Sequence, residues 1–321
     1  MKTIVAGVDI GGTNTVVGLV TRDGECIAET TFPTQSHINF NKYLERLASE
    51  ISALIKMQPS TYSLVGVGVG APNGCYNTGN IVDAANLKWK GSLPLGSGLN
   101  SHLNVPIAVS NDANAAALGE MLYGGARGMK NFIVITLGTG LGSGIVVDGK
   151  LVLGSDGFAG ELGHTAVKAY GRQCGCGKSG CLETYVSAPG LRRTAFKLLA
   201  DSIEPSALRN YSYDQISAKQ IGNLAEQGDA ISIEAFEYTG AILGMKLADV
   251  VAILSPEAIF LFGGLSNAGR LLFEPTKRHM EKNLFSNFRN KVQILPSGLN
   301  GENAAVIGAA ALIWQDLDKN V

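Results

Sequence analysis

At 321 residues the chain is long for one domain and comfortable for two, and 45% apolar residues supply ample material for buried cores. Lys and Arg (26) nearly balance Asp and Glu (27) for a net charge of −1, with no basic tract or charged tail, so a nucleic-acid partner has no electrostatic support. No window nears the roughly 20 apolar residues of a membrane span, and Asp9 interrupts the N-terminal apolar run too early for an export signal, so the expectation is a soluble cytoplasmic α/β protein.

Residues 4–20 read as an apolar run, the turn Asp9-Ile10-Gly11-Gly12-Thr13, and a second run ending near Asp23-Gly24. That is a β-hairpin followed by a third strand. Phe40, Tyr43, Leu44, Leu47, Ile51 and Leu54 recur at helical spacing, with Pro59 as a stop. Residues 64–69 and 107–109 are short buried strands by run length. Asn111-Asp112-Ala113-Asn114 leads into an Ala-rich helix over 113–123, closed by Gly124-Gly125. Residues 132–147 repeat the opening pattern: an apolar run, Leu137-Gly138-Thr139-Gly140, and another run ending at Asp148-Gly149. Two similar starts argue for two related domains facing each other, with the paired turns meeting in a cleft. Farther on, Ser217-x-x-Gln220 predicts a capping box, 231–254 a long helix ended by Pro256, Ala258–Phe262 a buried strand, and 304–314 a terminal helix that docks. No long linker separates the halves, so a short hinge is expected.

The 41 glycines cluster at strand ends. Beside Asp9 and Thr13, Gly11 and Gly12 let backbone N–H groups approach an anion. The stretch Gly138-Thr139-Gly140-x-Gly142-x-Gly144 leads into a strand, and no Gly-Lys-Ser/Thr follows, so it is neither a P-loop nor a Rossmann fingerprint. Singly, each turn reads as a structural hairpin. As a duplicated pair they suit the clamping of one polyphosphate from both sides. Gly263-Gly264 follows the strand Ala258–Phe262 and suits the wall of a nucleoside pocket, although a plain strand-to-helix turn reads equally well. Asn111 and Asp112 also carry two readings. One is a helix cap, which Asn and Asp provide well. The other makes Asp112 a general base at a strand's carboxyl end, where open α/β sheets bind ligands. The local residues favour the cap.

The densest chemistry lies between Glu161 and Glu183. His164, Cys174, Cys176 and Cys181 make a complete tetrahedral set for a structural zinc, with no position left for water. Disulfides are the competing reading. Five cysteines in all is an odd number, Cys26 and Cys75 are far away in sequence, and a reducing compartment disfavours the bond. Glu161 and Glu183 are not needed as ligands. They are left as two carboxylates beside a metal-stapled loop, as recognition of a hydroxyl-rich ligand requires.

Together these motifs resemble those of the ROK family of sugar kinases and sugar-responsive repressors, within the actin-like ATPase superfamily. The resemblance covers essentially the whole chain. Asp9–Thr13 is similar to the family's first phosphate motif and Leu137–Gly144 to its glycine-rich signature. Glu161–His164 is similar to its Glu-x-Gly-His motif, and 174–183 to its Cys-x-Cys-Gly-x-x-Gly-Cys-x-Glu motif at every fixed position. The resemblance implies an α/β fold of two duplicated actin-like (ribonuclease H-like) domains with an interdomain active-site cleft. A small N-terminal domain over 1–115, onto which 302–321 packs back, would precede a large domain over 116–301 carrying the zinc loop.

By the same resemblance, His164, Cys174, Cys176 and Cys181 hold zinc. Asn86, Asn111, Asp112, Glu161, His164 and Glu183 bind the sugar, with the segments Gly70-Ala71-Pro72-Asn73-Gly74 and Ala85-Asn86-Leu87-Lys88-Trp89 along its pocket. Asp112 is the base. Asp9, Gly11, Gly12, Thr13, Gly138, Thr139 and Gly140 serve the ATP phosphates, Asp9 also helping to hold magnesium, and Gly263 and Gly264 line the adenosine pocket. The implied reaction is ATP-dependent phosphorylation of the 6-hydroxyl of a hexose, with glucose favoured and N-acetylglucosamine, N-acetylmannosamine or fructose as alternatives. The implied assembly is a homodimer. Repressors of the family carry an added N-terminal helix-turn-helix. With a first strand starting at about Thr3 and Asp112 present, the expectation is an enzyme. The zinc set and the Glu-x-Gly-His motif likewise argue against a chaperone-like ATPase that cycles without a small substrate.

Overall fold

The structure is a computed structural model that describes residues 2–35, 39–84, 86–299, 301 and 303–319. Ala85, expected along a sugar pocket, lies outside the described residues, as do Glu302, Asn320 and Val321 of the expected terminal segment. The chain divides into two compact units. The first comprises Met1–Met129, Gly144–Gly160 and Ser297–Val321, and the second Lys130–Ser143 and Glu161–Pro296. The boundary expected after residue 115 falls inside a helix, Asp112–Leu122, which this division leaves whole in the first unit.

The chain opens with β1 (Lys2–Ile10), β2 (Asn14–Thr21), β3 (Cys26–Pro33), α1 (Phe40–Lys56) and β4 (Tyr62–Gly70). The short strands β5 (Gly74–Cys75), β6 (Asn80–Val82) and β7 (Ser92–Leu93) follow, then α2 (Leu95–Leu103), β8 (Ile107–Ser110) and α3 (Asp112–Leu122). Five of these strands form a sheet ordered β3-β2-β1-β4-β8, antiparallel from β1 to β3 and parallel from β1 through β4 to β8. β1 is buried over most of its length because helices cover both faces. On one face α1 seats Tyr43, Leu44, Leu47, Ala48, Ile51 and Leu54, the stripe its 3.6-residue period predicts. Burying each large apolar side chain of that stripe contributes up to about 2 kcal/mol. Trp89, expected along a pocket, is instead in this core, its ring 4.7 Å from that of Tyr43 and 5.2 Å from that of Phe40.

The other face receives α8 (Ala304–Lys319), which packs on β1, β4 and α3. The approach is close enough that a side chain on Gly7 would strike the Val306 carbonyl and one on Gly68 the Ala309 carbonyl. Glycines on the strands and a run of alanines on the helix therefore set this spacing. Inside the same unit, the buried Glu120 carboxylate of α3 takes backbone N–H bonds from Gly125 at 2.8 Å and Gly298 at 2.9 Å, and a hydroxyl bond from Ser297.

The second half repeats the pattern. β9 (Phe132–Leu137), β10 (Leu141–Val147) and β11 (Lys150–Leu151) are followed by α4 (Ala188–Asp201), α5 (Ala218–Glu226), α6 (Ala230–Leu254), β12 (Ala258–Phe262), α7 (Arg270–Asn283) and β13 (Gln293–Pro296). The sheet order β11-β10-β9-β12-β13 reproduces that of the first sheet, with β9, β12 and β13 parallel. The capping box forms at α5: the Ser217 hydroxyl accepts from Gln220 N at 3.2 Å and Gln220 Oε1 accepts from Ser217 N at 2.7 Å. α7 contains Pro275, which packs against Gly240 of α6. No described helix is long and apolar enough to cross a membrane.

Candidate active site

In the first unit the parallel strands end together. Asp9 of β1 is in register with Gly70 of β4, and Gly70 with Ser110 of β8. Asp9, the Gly70–Ala71 bend and the Ser110-Asn111-Asp112 segment thus share one carboxyl edge of the sheet, where open α/β sheets present ligand sites. Asn111 is the N-cap of α3, its Oδ1 accepting from Asn114 N at 2.7 Å. The cap reading therefore falls on Asn111 and leaves Asp112 as the first helical residue, its Oδ1 accepting from Ala113 N at 2.9 Å. The Asp112 side chain is reachable by solvent, yet surrounding protein denies it full hydration. That burial pushes its pKa up, against the pull of the Ala113 and Asp112 backbone N–H groups. Asp9 is pushed up to about 6, first by burial and then by the negative charge of Asp112.

Gly11, Gly12 and Thr13 form the turn between β1 and β2, with Gly12 and Thr13 exposed. The turn is anchored from below. Thr34 Oγ1 donates to the Gly11 carbonyl at 2.8 Å, Thr34 N donates to the Thr13 carbonyl at 2.8 Å, and Thr15 links Thr34 to the buried Tyr43 hydroxyl. Asn86 is exposed beside Gly12: a Cβ built on Gly12 would lie 3.1 Å from the Asn86 carbonyl oxygen.

In the second unit, Gly138, Thr139 and Gly140 make the corresponding turn between β9 and β10. Gly138 N donates to the Gly140 carbonyl at 3.0 Å, and Ala188 N to the Gly138 carbonyl at 2.9 Å. Gly263 and Gly264 follow β12, the parallel neighbour of β9, and Leu265 N donates to the Leu137 carbonyl at 3.0 Å. These two glycine turns are therefore adjacent. Gly264 also borders a cavity of about 400 Å³ whose other wall is one face of α5: Ala218, Lys219, Gly222, Asn223 and Glu226. Sequence reasoning missed these five. The capping box located their helix, and nothing local says which face a ligand meets.

His164 and Glu183 lie on two short 3-10 turns, Leu162–His164 and Leu182–Thr184, that contact one another, and Glu161 immediately precedes the first. His164 Nε2 is 4.0 Å from Glu161 Oε2, and its Nδ1 is 3.7 Å from Cys174 Sγ. Cys176 Sγ and Cys181 Sγ are 3.7 Å apart, and the four donor atoms all lie within 4.8 Å of one another. A disulfide needs about 2.05 Å. A tetrahedron around zinc, with sulfur at about 2.3 Å, needs S–S edges of about 3.8 Å. The donor set and its spacing thus fit zinc. Burial pushes the Cys174 thiol up to about 12, and a bound dication would reverse that by selecting the thiolate.

Each sequence-predicted site residue thus falls in one of two groups. Asp9, Gly11, Gly12, Thr13, Asn86, Asn111 and Asp112 belong to the first unit. Gly138, Thr139, Gly140, Glu161, His164, Cys174, Cys176, Cys181, Glu183, Gly263 and Gly264 belong to the second.

Paired sheets of identical strand order, each with a glycine turn after its first strand, define a duplicated α/β ATPase fold of the actin-like kind. The family model of the ROK family matches residues 5–316. A glucokinase of Halalkalibacterium halodurans is 35% identical over 313 residues, covering 96% of this chain and 94% of its own. The crystal structure of a ROK family glucokinase from Streptomyces griseus, in complex with glucose and AMPPNP, superposes with a TM-score of 0.82 at 32% identity, over 97% of this chain and 99% of that one. A xylose repressor of Caldicellulosiruptor bescii is 30% identical over 98% of this chain and 78% of its own length. The chain belongs to the ROK family.

Proposed function

We propose that this protein transfers the γ-phosphoryl group of ATP to the primary 6-hydroxyl of a hexose, glucose in the first place, with Asp112 as general base. It is an ATP-dependent sugar kinase of its family; what is proposed is the acceptor and the residues that act. The observation that carries the assignment of the base is the position of Asp112. It stands at the carboxyl edge of the parallel strands, accessible, with a raised pKa and Asp9 on the same edge.

Phosphoryl transfer asks the protein mainly for positioning, charge neutralisation and one base for the nucleophile. Asp112 accepts the hydroxyl proton as the sugar oxygen attacks phosphorus, the bond to ADP breaks, and the proton later leaves to solvent. Its raised pKa makes its carboxylate a stronger base than that of an ordinary aspartate. Asn111 has committed its Oδ1 to the helix, so its Nδ2 is the group left to donate to a sugar oxygen. Glu183 commits Oε2 to Leu141 N, and its Oε1, 3.7 Å from Cys174 Sγ, is the oxygen assigned to a sugar hydroxyl once the thiol is a metal-bound thiolate. His164 divides its ring: Nδ1 toward Cys174 for the metal, Nε2 toward Glu161 and the sugar. Asn86 and Glu161 complete the hydroxyl contacts. Gly11–Thr13 and Gly138–Gly140 offer backbone N–H groups to phosphate oxygens, and Gly263-Gly264 with α5 holds the nucleoside.

Zinc on His164, Cys174, Cys176 and Cys181 would neutralise the thiolates and hold the turns that carry Glu161 and Glu183. Magnesium would be held in part by Asp9 and would neutralise phosphate charge. The protein works as a homodimer in this reading, which light scattering reads directly.

ADP release is measured against a panel of hexoses and N-acetylhexosamines, with Asp112→Asn as the matched control. One sugar giving strong turnover that the control loses names the substrate. Sugar binding without turnover in the unaltered protein would sink the kinase assignment and point to a sugar sensor, the role of the related repressors.

A further inference from the structure

A second recess in the second unit takes no part in the roles above. It encloses about 350 Å³, and its lining brings together Lys168, Arg172, Arg193 and Lys197 with the rings of Tyr185 and Tyr238. No carboxylate is among the described lining residues. Volumes of this order suit small ligands rather than a peptide or a nucleic-acid strand.

The wall is built from fixed parts. Arg172 donates from Nη1 to the carbonyls of Thr184 at 2.8 Å and Gly190 at 3.0 Å, and from Nη2 to Thr194 Oγ1 at 2.9 Å. Its guanidinium stands over the buried Tyr185 ring, 4.4 Å from the centroid, and the Tyr185 hydroxyl accepts from Arg172 N at 3.1 Å. Tyr185 and Tyr238 stand with ring centroids 6.5 Å apart, tilted at 47°, making an angled aromatic side. Arg193 and Lys197 are one turn apart on α4, so both point from the same helix face, and both are exposed.

A cavity that gathers four cations, no acid and an aromatic side matches an anion carried on a ring. Guanidinium and ammonium groups lining one recess are the chemistry of phosphate recognition, and a tyrosine face accommodates a sugar or base ring. We propose that this recess binds a phosphate monoester borne on a ring, a sugar phosphate or a nucleotide. Arg193 and Lys197 grip the phosphate, and the ring lies against the exposed Tyr238, which the buried Tyr185 backs. The site is separate from the glycine turns that serve ATP.

Calorimetry on the full chain, saturated with sugar and a non-hydrolysable ATP analogue, would titrate inorganic phosphate, glucose 6-phosphate and AMP in turn. A ring-bearing monoester is expected to bind more tightly than inorganic phosphate, and the comparison of glucose 6-phosphate with AMP tells which source fits. The double variant Arg193→Gln/Lys197→Gln is expected to weaken that binding about tenfold, as loss of two charge-assisted contacts at partly exposed positions should. Its turnover and melting temperature should stay unchanged. Absence of binding by all three probes overturns the proposal, as does equal affinity in the variant. Inorganic phosphate binding as tightly as both ring-bearing probes overturns the part assigned to the tyrosines. The comparison of variant with unaltered protein reads the recess alone, whatever becomes of the kinase assignment.

Discussion

Glu183 and Gly140 are fitted to one another: Glu183 Oε2 accepts the Leu141 N–H at 3.0 Å, and a Cβ on Gly140 would stand 2.5 Å from that oxygen. The turn assigned to phosphate and the carboxylate assigned to sugar thereby share one hydrogen bond. Gly140→Ala should push the carboxylate aside and raise the KM for sugar about tenfold, the value of a lost hydrogen bond to a charged group. The KM for ATP should rise less. Steady-state kinetics with each substrate varied in turn decides it, and equal rises in the two constants would refute the orientation of Glu183 proposed here.

Asp112→Asn removes the base while keeping the volume and the helix start. Turnover should fall by about 10²–10⁴, the usual contribution of a positioned base, with sugar affinity changed far less. In the unaltered enzyme the raised pKa of Asp112 means that kcat falls as pH drops through a point above the ordinary carboxylate range. A pH–rate profile that stays flat down to pH 4 would rule out Asp112 as the titrating group.

Asp9 carries a pKa pushed up to about 6, so ionising it costs the folded state something the unfolded chain does not bear. That cost is absent below the unfolded value of 3.8, grows as pH rises between the two, and is complete above about 6. Asp9→Asn should therefore stabilise the metal-free protein at pH 7.5 by on the order of 1–3 kcal/mol, lose that gain near pH 4, and be less active throughout. Urea unfolding at the two pH values measures it, and a gain of the same size at both would mean that the charge of Asp9 is not the cause.

The cysteine and histidine set should bind one zinc per chain, detectable by elemental analysis. Cys181→Ser or a strong chelator should lower the melting temperature and abolish sugar binding while lowering nucleotide affinity far less, because the α5 cavity does not touch the cluster and the phosphate turn is tied to it through the Glu183–Leu141 bond. Loss of nucleotide affinity in parallel would show that the cluster supports more than the turns of Glu161 and Glu183.

Gly68→Ala should be severe although it adds one methyl group. The new atom would meet the Ala309 carbonyl, backbone against backbone, where no rotamer can relieve it. A loss on the order of 3 kcal/mol or more is expected, against a small effect for Gly222→Ala in α5, where a Cβ meets only the Phe236 ring at 3.7 Å, read by the same denaturation curves.

What the sequence reveals here is what repeats or has fixed spacing. The two Gly-Thr turns announce the duplication because a hairpin needs its turn chemistry locally, and the cluster from His164 to Cys181 announces itself because a metal gathers ligands of few kinds. The α1 stripe follows from period alone. What stays hidden depends on partners far along the chain. Arg172 reads as a loop cation until Thr184, Gly190 and Thr194 close around it. Trp89 reads as a loop aromatic until Phe40 and Tyr43 enclose it. α7 is masked by Pro275, which the sequence presents as a helix breaker and the structure accommodates because Gly240 leaves room for its ring. Asp112 lies between these cases: its neighbours suggest a cap, and Asn111 turns out to supply it.

The docking of α8 also orders events during synthesis. The ribosome makes β1 and β4 well before α8, so the face of these strands that carries Gly7 and Gly68 leaves the exit tunnel long before the helix that covers it. Glu120 likewise waits for Ser297 and Gly298. The second unit, whose segments lie within 130–296, has all its residues available earlier. The unit begun first is thus finished last, and a nascent chain halted anywhere before residue 304 would expose an apolar sheet face that a chaperone must shield.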